Sequence, residues 1–182
     1  MQRLARLWYR PPWLAYALLP LAWLNRGAVA IRLALYRAGV FPQARLPVPV
    51  VMVGNVTVGG SGKTPLTEWL ARKLQALGRR PAVVSRSYAA SAVAPARVLA
   101  TDDPDVRGDE AVLLACALPC PVWSGPNRRE TARALLSAHP EVDTIVCDDG
   151  LQHYALARDV EIAVVDSARG FGNRLLLPAG RL

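Results

Sequence analysis

The sequence predicts a three-layer α/β fold in which helices pack on a largely parallel sheet. From Pro47 onward, short apolar runs alternate with helix-forming stretches, as in successive strand–helix–strand units. Several of these runs end in glycine or aspartate, which puts polar groups at the carboxyl ends of strands, where such sheets bind their ligands. With 182 residues, of which 52% are hydrophobic, the chain can bury one substantial core.

The first part of this region contains one predicted helix between two short strands. The strands are predicted over 50–53 and 82–84. The helix is predicted from Thr64 to Leu77, because Pro65 is compatible with a first helical turn and Gly78 is a typical C-terminal stop. The stretch from Ala89 to Asp105 lacks a periodic pattern and is predicted to be a loop.

The second part adds two helices and three strands. The strands are predicted over 121–123, 144–147 and 162–165, and the last two are followed by aspartate. One helix is predicted over 109–118. The other is predicted over 127–138, because Asn127 and Glu130 have the spacing of a capping box.

The most informative segment runs from Pro49 to Thr64 and reads PVVMVGNVTVGGSGKT. An apolar strand that leads into a glycine-rich loop and then Lys-Thr is typical of an ATP- or GTP-binding phosphate loop. Gly59, Gly60 and Gly62 allow backbone N–H groups to surround phosphate oxygens, although the strict pattern has a glycine where this chain has Thr57. The predicted nucleotide-binding residues are Thr57, Val58, Gly59, Gly60, Ser61, Gly62, Lys63 and Thr64.

Within this loop, Lys63 is predicted to contact the terminal phosphates as a catalytic residue, and Thr64 to offer its hydroxyl to Mg²⁺. Lys63 and Lys73 are the only lysines among 22 basic residues, so lysine stands here in a chain that otherwise uses arginine. A compact ammonium suits a mobile phosphate contact better than a guanidinium does. The alternative is a glycine-rich turn that contains Lys-Thr by chance.

Acidic residues provide the other candidates for chemistry. Asp148 and Asp149 follow an apolar strand, where one could bind Mg²⁺ and the other could orient its shell, although Asp-Asp-Gly is also an ordinary turn sequence. Asp109 lies in a first helical turn, where an acid stabilises the helix dipole with or without a catalytic role. His153 lies close to the metal candidates, but a lone histidine is more often structural.

Residues 1–46 differ in character from the rest of the chain. Arg3, Arg6 and Arg10 share one helical face, and an apolar, aromatic stretch from Pro11 to Leu24 follows. That stretch is too short to span a bilayer, which takes about 20 residues. We predict a helical membrane anchor that lies in the interface, with arginines against anionic lipid. A core or lid helix and a secretory signal are the alternatives.

Charge and cysteine content narrow the function further. The net charge is +8 and the pI is about 10.1, but the arginines are scattered and no nucleic-acid-binding motif is present, so we expect no nucleic-acid partner. The positive charge suits an anionic membrane surface or a phosphorylated substrate instead. Cys116, Cys120 and Cys147 are odd in number and lack C-x-x-C spacing, which predicts reduced, mostly buried thiols.

Five motifs in a fixed order make the interpretation more specific. They are Gly54–Pro65, Ser85–Tyr88, Gly108–Glu110, Asp148–His153 and Leu177–Gly180. In this combination the chain resembles the tetraacyldisaccharide 4'-kinase family, the lipid A 4'-kinases. The resemblance extends from the aromatic N-terminus to the last residue and is most specific over 148–158.

The resemblance implies an enzyme that uses ATP and Mg²⁺ to phosphorylate the 4'-hydroxyl of a tetraacyl glucosamine disaccharide 1-phosphate in lipid A biosynthesis. It implies a place at the cytoplasmic face of the bacterial inner membrane. It also implies that Asp109 is the base for the sugar hydroxyl and that Asp148 and Asp149 serve the metal. The substrate-binding candidates are Arg86, Gln152 and His153.

Members of this family are about twice as long, so the chain is expected to correspond to the N-terminal half. Residues 1–46 would be the anchor and residues 47–182 the nucleotide-binding domain, without the C-terminal lobe. Two alternatives remain open. One is a fragment that binds ATP and membrane without turnover. The other is a nucleotide-switched membrane ATPase of the partitioning type, whose loop has a lysine where this chain has Val58.

Overall fold

A computed structural model describes residues 17–55, 62–86 and 94–167, together with residues 170, 171, 175, 177 and 179. The chain forms two compact units. The sheet unit contains Gln43–Gly54 and Gly62–Ala163, and the terminal unit contains Met1–Pro42, Asn55–Ser61 and Val164–Leu182. Predicted features at 1–16, 56–61 and 87–93 lie outside the described residues.

The described elements alternate as the sequence predicts. The helices are α1 (Leu19–Arg37), α2 (Lys63–Ala76), α3 (Pro104–Arg107), α4 (Asp109–Ala117) and α5 (Arg128–Ala138). The strands are β1 (Val50–Asn55), β2 (Pro81–Arg86), β3 (Ala96–Arg97), β4 (Val122–Gly125), β5 (Thr144–Cys147) and β6 (Val160–Val164). Among the described residues these strands form one sheet in the order β3-β4-β2-β5-β1-β6. The pairs β1–β5, β2–β5 and β2–β4 are parallel, which confirms the largely parallel α/β fold.

The centre of the sheet is the hydrophobic core of the sheet unit. Strands buried on both faces are expected to read as continuous apolar runs, and β2 and β5 do so. Met52, Val84 and Ile145 are fully buried on adjacent strands, and Leu135 of α5 and Leu156 pack into the same cluster. This core supports the carboxyl ends of β1, β2 and β5.

An aspartate fixes the starting point of each of two central strands. Asp159 accepts a hydrogen bond from the Val50 N–H through Oδ2 (2.9 Å), and its own N–H donates to the Val50 carbonyl (2.9 Å). Asp143 accepts in the same way from the Arg80 N–H through Oδ1 (3.0 Å) and donates to the Arg80 carbonyl (3.0 Å). These paired bonds set where β1 and β2 begin, and therefore where they end.

The predicted helix ends are confirmed. At the end of α2, Gly78 has φ +80°, and its N–H and that of Arg79 donate to the carbonyls of Gln75 and Leu74 (2.9 and 3.0 Å), which is a Schellman motif. At the start of α5, the Asn127 side chain accepts from a backbone N–H and donates to Glu130 Oε1 (3.0 Å). Asn127 and Glu130 therefore interact through their side chains.

The prediction of a continuous loop from Ala89 to Asp105 was wrong in its described part. Ala96–Arg97 forms the short strand β3, which pairs antiparallel with the edge of β4. Pro104–Arg107 forms the one-turn helix α3, which begins where the Asp103 side chain accepts from the Asp105 N–H (2.9 Å). Two residues are too few to show a strand period, and tertiary pairing decides such an element.

In the terminal unit, α1 is the principal described element. Pro20 lies at the start of α1, where a proline is tolerated, so it does not interrupt the helix. Ala22 is the buried residue of α1, whereas Trp23 and Leu24 are 68% and 69% exposed. Asn25 Nδ2 donates to the Leu177 carbonyl (3.0 Å). Within the described ranges, no helix is long and apolar enough to cross a membrane.

A close approach in the core leads to a stability prediction. A Cβ added at Gly150 would lie 1.7 Å from Sδ of the fully buried Met52, whereas a Cβ at Gly27 of α1 meets nothing within 4 Å. We expect Gly150→Ala to lower the free energy of unfolding by about 1–3 kcal/mol through overpacking. Gly27→Ala, the control, should not destabilise the chain, because alanine is favoured over glycine in helices. Urea unfolding measures both, and equal values for Gly150→Ala and wild type would contradict the prediction.

Candidate active site

The predicted site residues meet at the carboxyl edge of the parallel strands. In the strand register, Met52 of β1 and Val84 of β2 both pair with Cys147, the last residue of β5. Asp148 and Asp149, which follow Cys147, therefore emerge between the ends of β1 and β2. Parallel sheets collect polar groups at this edge because all their carboxyl ends point the same way.

The start of α2 is open to an anionic ligand. Gly62 precedes it with φ +79° and provides no side-chain cap, and the first intrahelical bond runs from the Leu66 N–H to the Gly62 carbonyl (3.3 Å). The amides of the first turn therefore have no acceptor within the helix. Because the helix dipole is also positive at this end, the start of α2 is suited to phosphate.

Lys63 is the first residue of α2, and its ammonium points at the acidic turn. Its Nζ lies 2.7 Å from Asp149 Oδ1, and its side chain is only 11% exposed. Asp149 has φ +53°, a left-handed conformation that is uncommon outside glycine. This backbone lets consecutive acids point in different directions, with Asp149 toward Lys63 and Asp148 into the protein.

Asp148 is fully buried and is bonded on one side only. Its Oδ1 accepts from the Thr67 hydroxyl (3.1 Å), whereas Oδ2 has no hydrogen-bond partner in the described part of the chain. Burial raises the pKa of this carboxyl to about 6, and the negative charge of Glu110 adds to the rise. The Thr67 bond and the Lys63 charge act in the opposite direction. A buried, unpaired carboxylate oxygen is suited to a cation or a bound water.

Next to the acidic turn lies a cleft of about 410 Å³. Asp109 and Glu110, in the first turn of α4, line it together with Arg86 and Asp149. Gly108 has φ +93° and connects α3 to α4, which turns the chain so that Asp109 reaches the cleft. Three acids and one arginine thus surround a space that a phosphorylated ligand could enter.

Two of these residues, Thr67 and Glu110, were missed by the sequence reasoning. Thr67 lies four residues after Lys63, so the helical period places both on one face of α2. That spacing could have identified Thr67 as a neighbour of the site. Glu110 follows Asp109 directly, and no sequence pattern distinguishes a first-turn acid that faces a cleft from one that faces solvent.

The other predicted residues are only partly placed. Thr57, Val58, Gly59, Gly60 and Ser61 lie outside the described residues. Thr64 is half-buried in the first turn of α2, beside Lys63. Gln152 and His153 lie in the turn after Gly150, and neither is among the described residues that line the cleft. Their roles in substrate binding remain predictions.

The acids do not form a preassembled metal cage. In the ranges that the structure describes, no group of three or more His, Cys, Asp or Glu side chains is arranged to hold a metal ion. A cation at this edge would therefore need further oxygen ligands. Mg²⁺ is usually bound in this way, through one or two carboxylates together with substrate phosphates and water.

Comparisons with known proteins agree on one family. A family model described as Tetraacyldisaccharide-1-P 4'-kinase matches residues 14–182. A tetraacyldisaccharide 4'-kinase of Alkalilimnicola ehrlichii is 51% identical over all of this chain and 55% of its own length. One from Aromatoleum aromaticum is 56% identical over 92% of this chain and 50% of its own length.

A solved structure shows the same fold. It is LpxK from Aquifex aeolicus in complex with ATP, which has a TM-score of 0.78 and 32% identity to this chain. The match covers 93% of this chain and 54% of that protein. The chain therefore spans about half the length of the relatives that it matches.

The buried carboxyl of Asp148 leads to a prediction about pH. Since its pKa in the folded state, about 6, exceeds the ordinary value of 3.8, the folded protein binds this proton more tightly than the unfolded chain does. Stability from this group is therefore lost as the pH rises from about 4 to 6. Removing the charge with Asp148→Asn should raise the free energy of unfolding at pH 7 by about 1–3 kcal/mol.

Urea unfolding of wild type and Asp148→Asn from pH 4 to pH 8 measures this difference, which should shrink toward pH 4. Asp105→Asn is the control, because it removes one negative charge from an exposed position. A difference between wild type and Asp148→Asn that stays constant with pH would contradict the assignment of the raised pKa to Asp148.

Proposed function

This chain belongs to the Tetraacyldisaccharide-1-P 4'-kinase family, and on that premise we propose that it binds ATP at the start of α2 and transfers the γ-phosphoryl group to a lipid. The acceptor would be the 4'-hydroxyl of a tetraacyl glucosamine disaccharide 1-phosphate. The observation that carries the proposal is the pairing of Lys63 with Asp149, which joins the start of α2 to the acidic turn beside the cleft.

In this proposal Lys63 exchanges its carboxylate partner for phosphate oxygens. The ammonium lies over the carboxyl edge of the sheet and beside the unpaired amides of α2. Lysine and backbone N–H groups together would neutralise the charge that develops on the transferred group. The Aquifex relative, which was solved with ATP, supports a nucleotide at this position.

Asp109 is proposed as the base that accepts the proton of the sugar hydroxyl. It is exposed at the mouth of the cleft and lies in the first turn of α4. A general base must be able to come within hydrogen-bond distance of its proton donor, and an exposed carboxylate on a cleft wall can do so. Arg86, on the same cleft, is proposed to bind a phosphate of the substrate.

Mg²⁺ is proposed as the cation of this site. The donor set fits a hard cation, because Asp148 Oδ2 lacks a partner among the described residues and Thr64, Asp149 and Glu110 offer further oxygens nearby. When bound, Mg²⁺ would bridge phosphate oxygens and neutralise their charge. Asp148 would hold the cation, and its bond from Thr67 would fix the direction of the carboxylate.

The terminal unit is proposed to bring the enzyme to its lipid substrate at the cytoplasmic face of the inner membrane. Leu21, Trp23, Leu24 and Ile31 of α1 are each more than half exposed. Such a surface favours an interfacial helix over a core helix, because it gains by burial in lipid. The basic residues Arg3, Arg6 and Arg10 precede it in sequence.

A second candidate is a chain that binds ATP and membrane without turnover. The observation that favours it is length, since the chain spans about half of the related kinases. The partitioning-type ATPase is disfavoured, because Val58 stands where its loop has lysine.

The proposal makes a direct prediction for Lys63. Lys63→Ala should lower phosphoryl transfer from ATP to a tetraacyl disaccharide 1-phosphate by at least about 100-fold, because its charge acts on phosphate. Lys73→Ala is a matched control, since Lys73 is exposed near the other end of α2. ATP binding is measured in parallel by calorimetry. Unchanged transfer and binding in Lys63→Ala would contradict the proposed site.

The same experiment separates the two candidates. If the chain binds ATP in a Lys63-dependent way and transfers no phosphate to the lipid, the non-catalytic candidate is supported.

A further prediction concerns the membrane. Replacing Trp23, Leu24 and Ile31 by serine should weaken binding to anionic vesicles by at least about tenfold, since each buried apolar side chain contributes about 1.5–3 kcal/mol. Trp69→Ser is the control, because Trp69 of α2 is also exposed (59%) but belongs to the sheet unit. Salt should weaken the wild-type binding only in part. Equal sedimentation of the triple variant and wild type with vesicles would refute the anchor.

A further inference from the structure

Two arginines bind the backbone of the acidic turn from different elements. Arg128, the first residue of α5, is 4% exposed. Its Nη2 donates to the carbonyls of Asp148 (2.9 Å) and Asp149 (2.6 Å). Because both bonds come from one nitrogen, Arg128 fixes the distance between the two carbonyls.

Arg158 holds the next part of the same turn. Its Nη1 donates to the Leu151 carbonyl (3.0 Å) and lies 3.5 Å from the Gly150 carbonyl. The guanidinium stacks over the Tyr154 ring, 4.9 Å from its centroid, and pairs with Glu161 of β6. Four consecutive carbonyls, from residue 148 to residue 151, thus lie against two guanidinium groups.

The turn has a conformation that needs such support. Asp149 is the non-glycine residue with positive φ among the described residues, and this backbone is unfavourable for a residue with a Cβ. Below the turn, Gly150 lies so close to Met52 that no Cβ fits. Hydrogen bonds from a charged guanidinium are stronger than neutral ones and have fixed geometry.

We propose that Arg128 and Arg158 are positioning residues that hold the acidic turn in the shape in which Asp148 meets Thr67 and Asp149 meets Lys63. Neither arginine is among the described residues that line the cleft, and Arg128 is buried, so they act on the turn and not on a ligand. The consequence for activity rests on the proposed function, whereas the consequence for the turn does not.

Amide hydrogen exchange of the chain without nucleotide tests the structural part. In Arg128→Met, exchange over 148–153 should become at least tenfold faster relative to exchange over 144–147 in β5. Arg128→Lys should restore part of the protection, because an ammonium can also donate to more than one carbonyl. Arg133→Met is the matched control, since Arg133 is exposed on the same helix.

A second control separates positioning from general stability. Leu135→Ala removes a fully buried side chain of α5 and should destabilise the whole sheet unit. It should raise exchange over 144–147 and 148–153 together, without a local effect on the turn. If Arg128→Met does not fold, Arg158→Met, whose partner carbonyls are Gly150 and Leu151, applies the same test at the other end.

The functional part is measured as the Mg²⁺ concentration that half-saturates ATP-dependent transfer, or ATP binding if the chain does not turn over. We expect that concentration to rise about tenfold in Arg128→Met and to stay unchanged in Arg133→Met. Exchange over 148–153 that is the same in Arg128→Met and wild type would overturn the proposal. Faster exchange in Arg128→Met, together with a Lys63→Ala variant that binds ATP normally, would support the role of Arg128 and reject the nucleotide site.

Discussion

The burial of one carboxylate, Asp148, is the constraint on which the site depends. Its position is set by the last residue of β5, which the parallel register places between β1 and β2. A carboxylate in that place loses water and gains only the Thr67 hydroxyl in return. Its pKa is therefore raised to about 6, mainly by burial, and the folded chain is less stable than it would be with a neutral side chain.

This arrangement links stability to function. The unpartnered Oδ2 costs free energy in the absence of a cation, and the same atom is well suited to bind one. Lys63 reduces the cost by its charge, and it is held near the turn by Asp149. Sites that bind charged ligands commonly keep such unsatisfied groups, because a fully satisfied site has nothing left to offer a ligand.

Much of this could be predicted from the chain itself. The apolar runs that became β1, β2 and β5 are buried on both faces, so their character alone indicates central parallel strands. The end of α2 at Gly78 follows from the backbone that only glycine adopts easily. The placement of Lys63 and the acidic pair at one edge follows from parallel strand order. The family could also be identified, because its motifs are local in sequence.

Other features were decided by tertiary structure. The strand β3 exists because the edge of β4 offers unpaired backbone groups, and no local pattern in two residues announces it. Thr67 and Glu110 acquired their roles from what lies opposite them, a buried carboxylate and a cleft. Arg128 and Arg158 contact successive carbonyls of a turn that is 20 residues or more from one and less than ten from the other, and distance along the chain does not reveal such contacts. The sequence by itself determined the order of the elements and the residue types at the strand ends, because these depend on local periodicity and backbone preference. Only the tertiary structure decided which charges share an environment, because that depends on which atoms exclude water from one another.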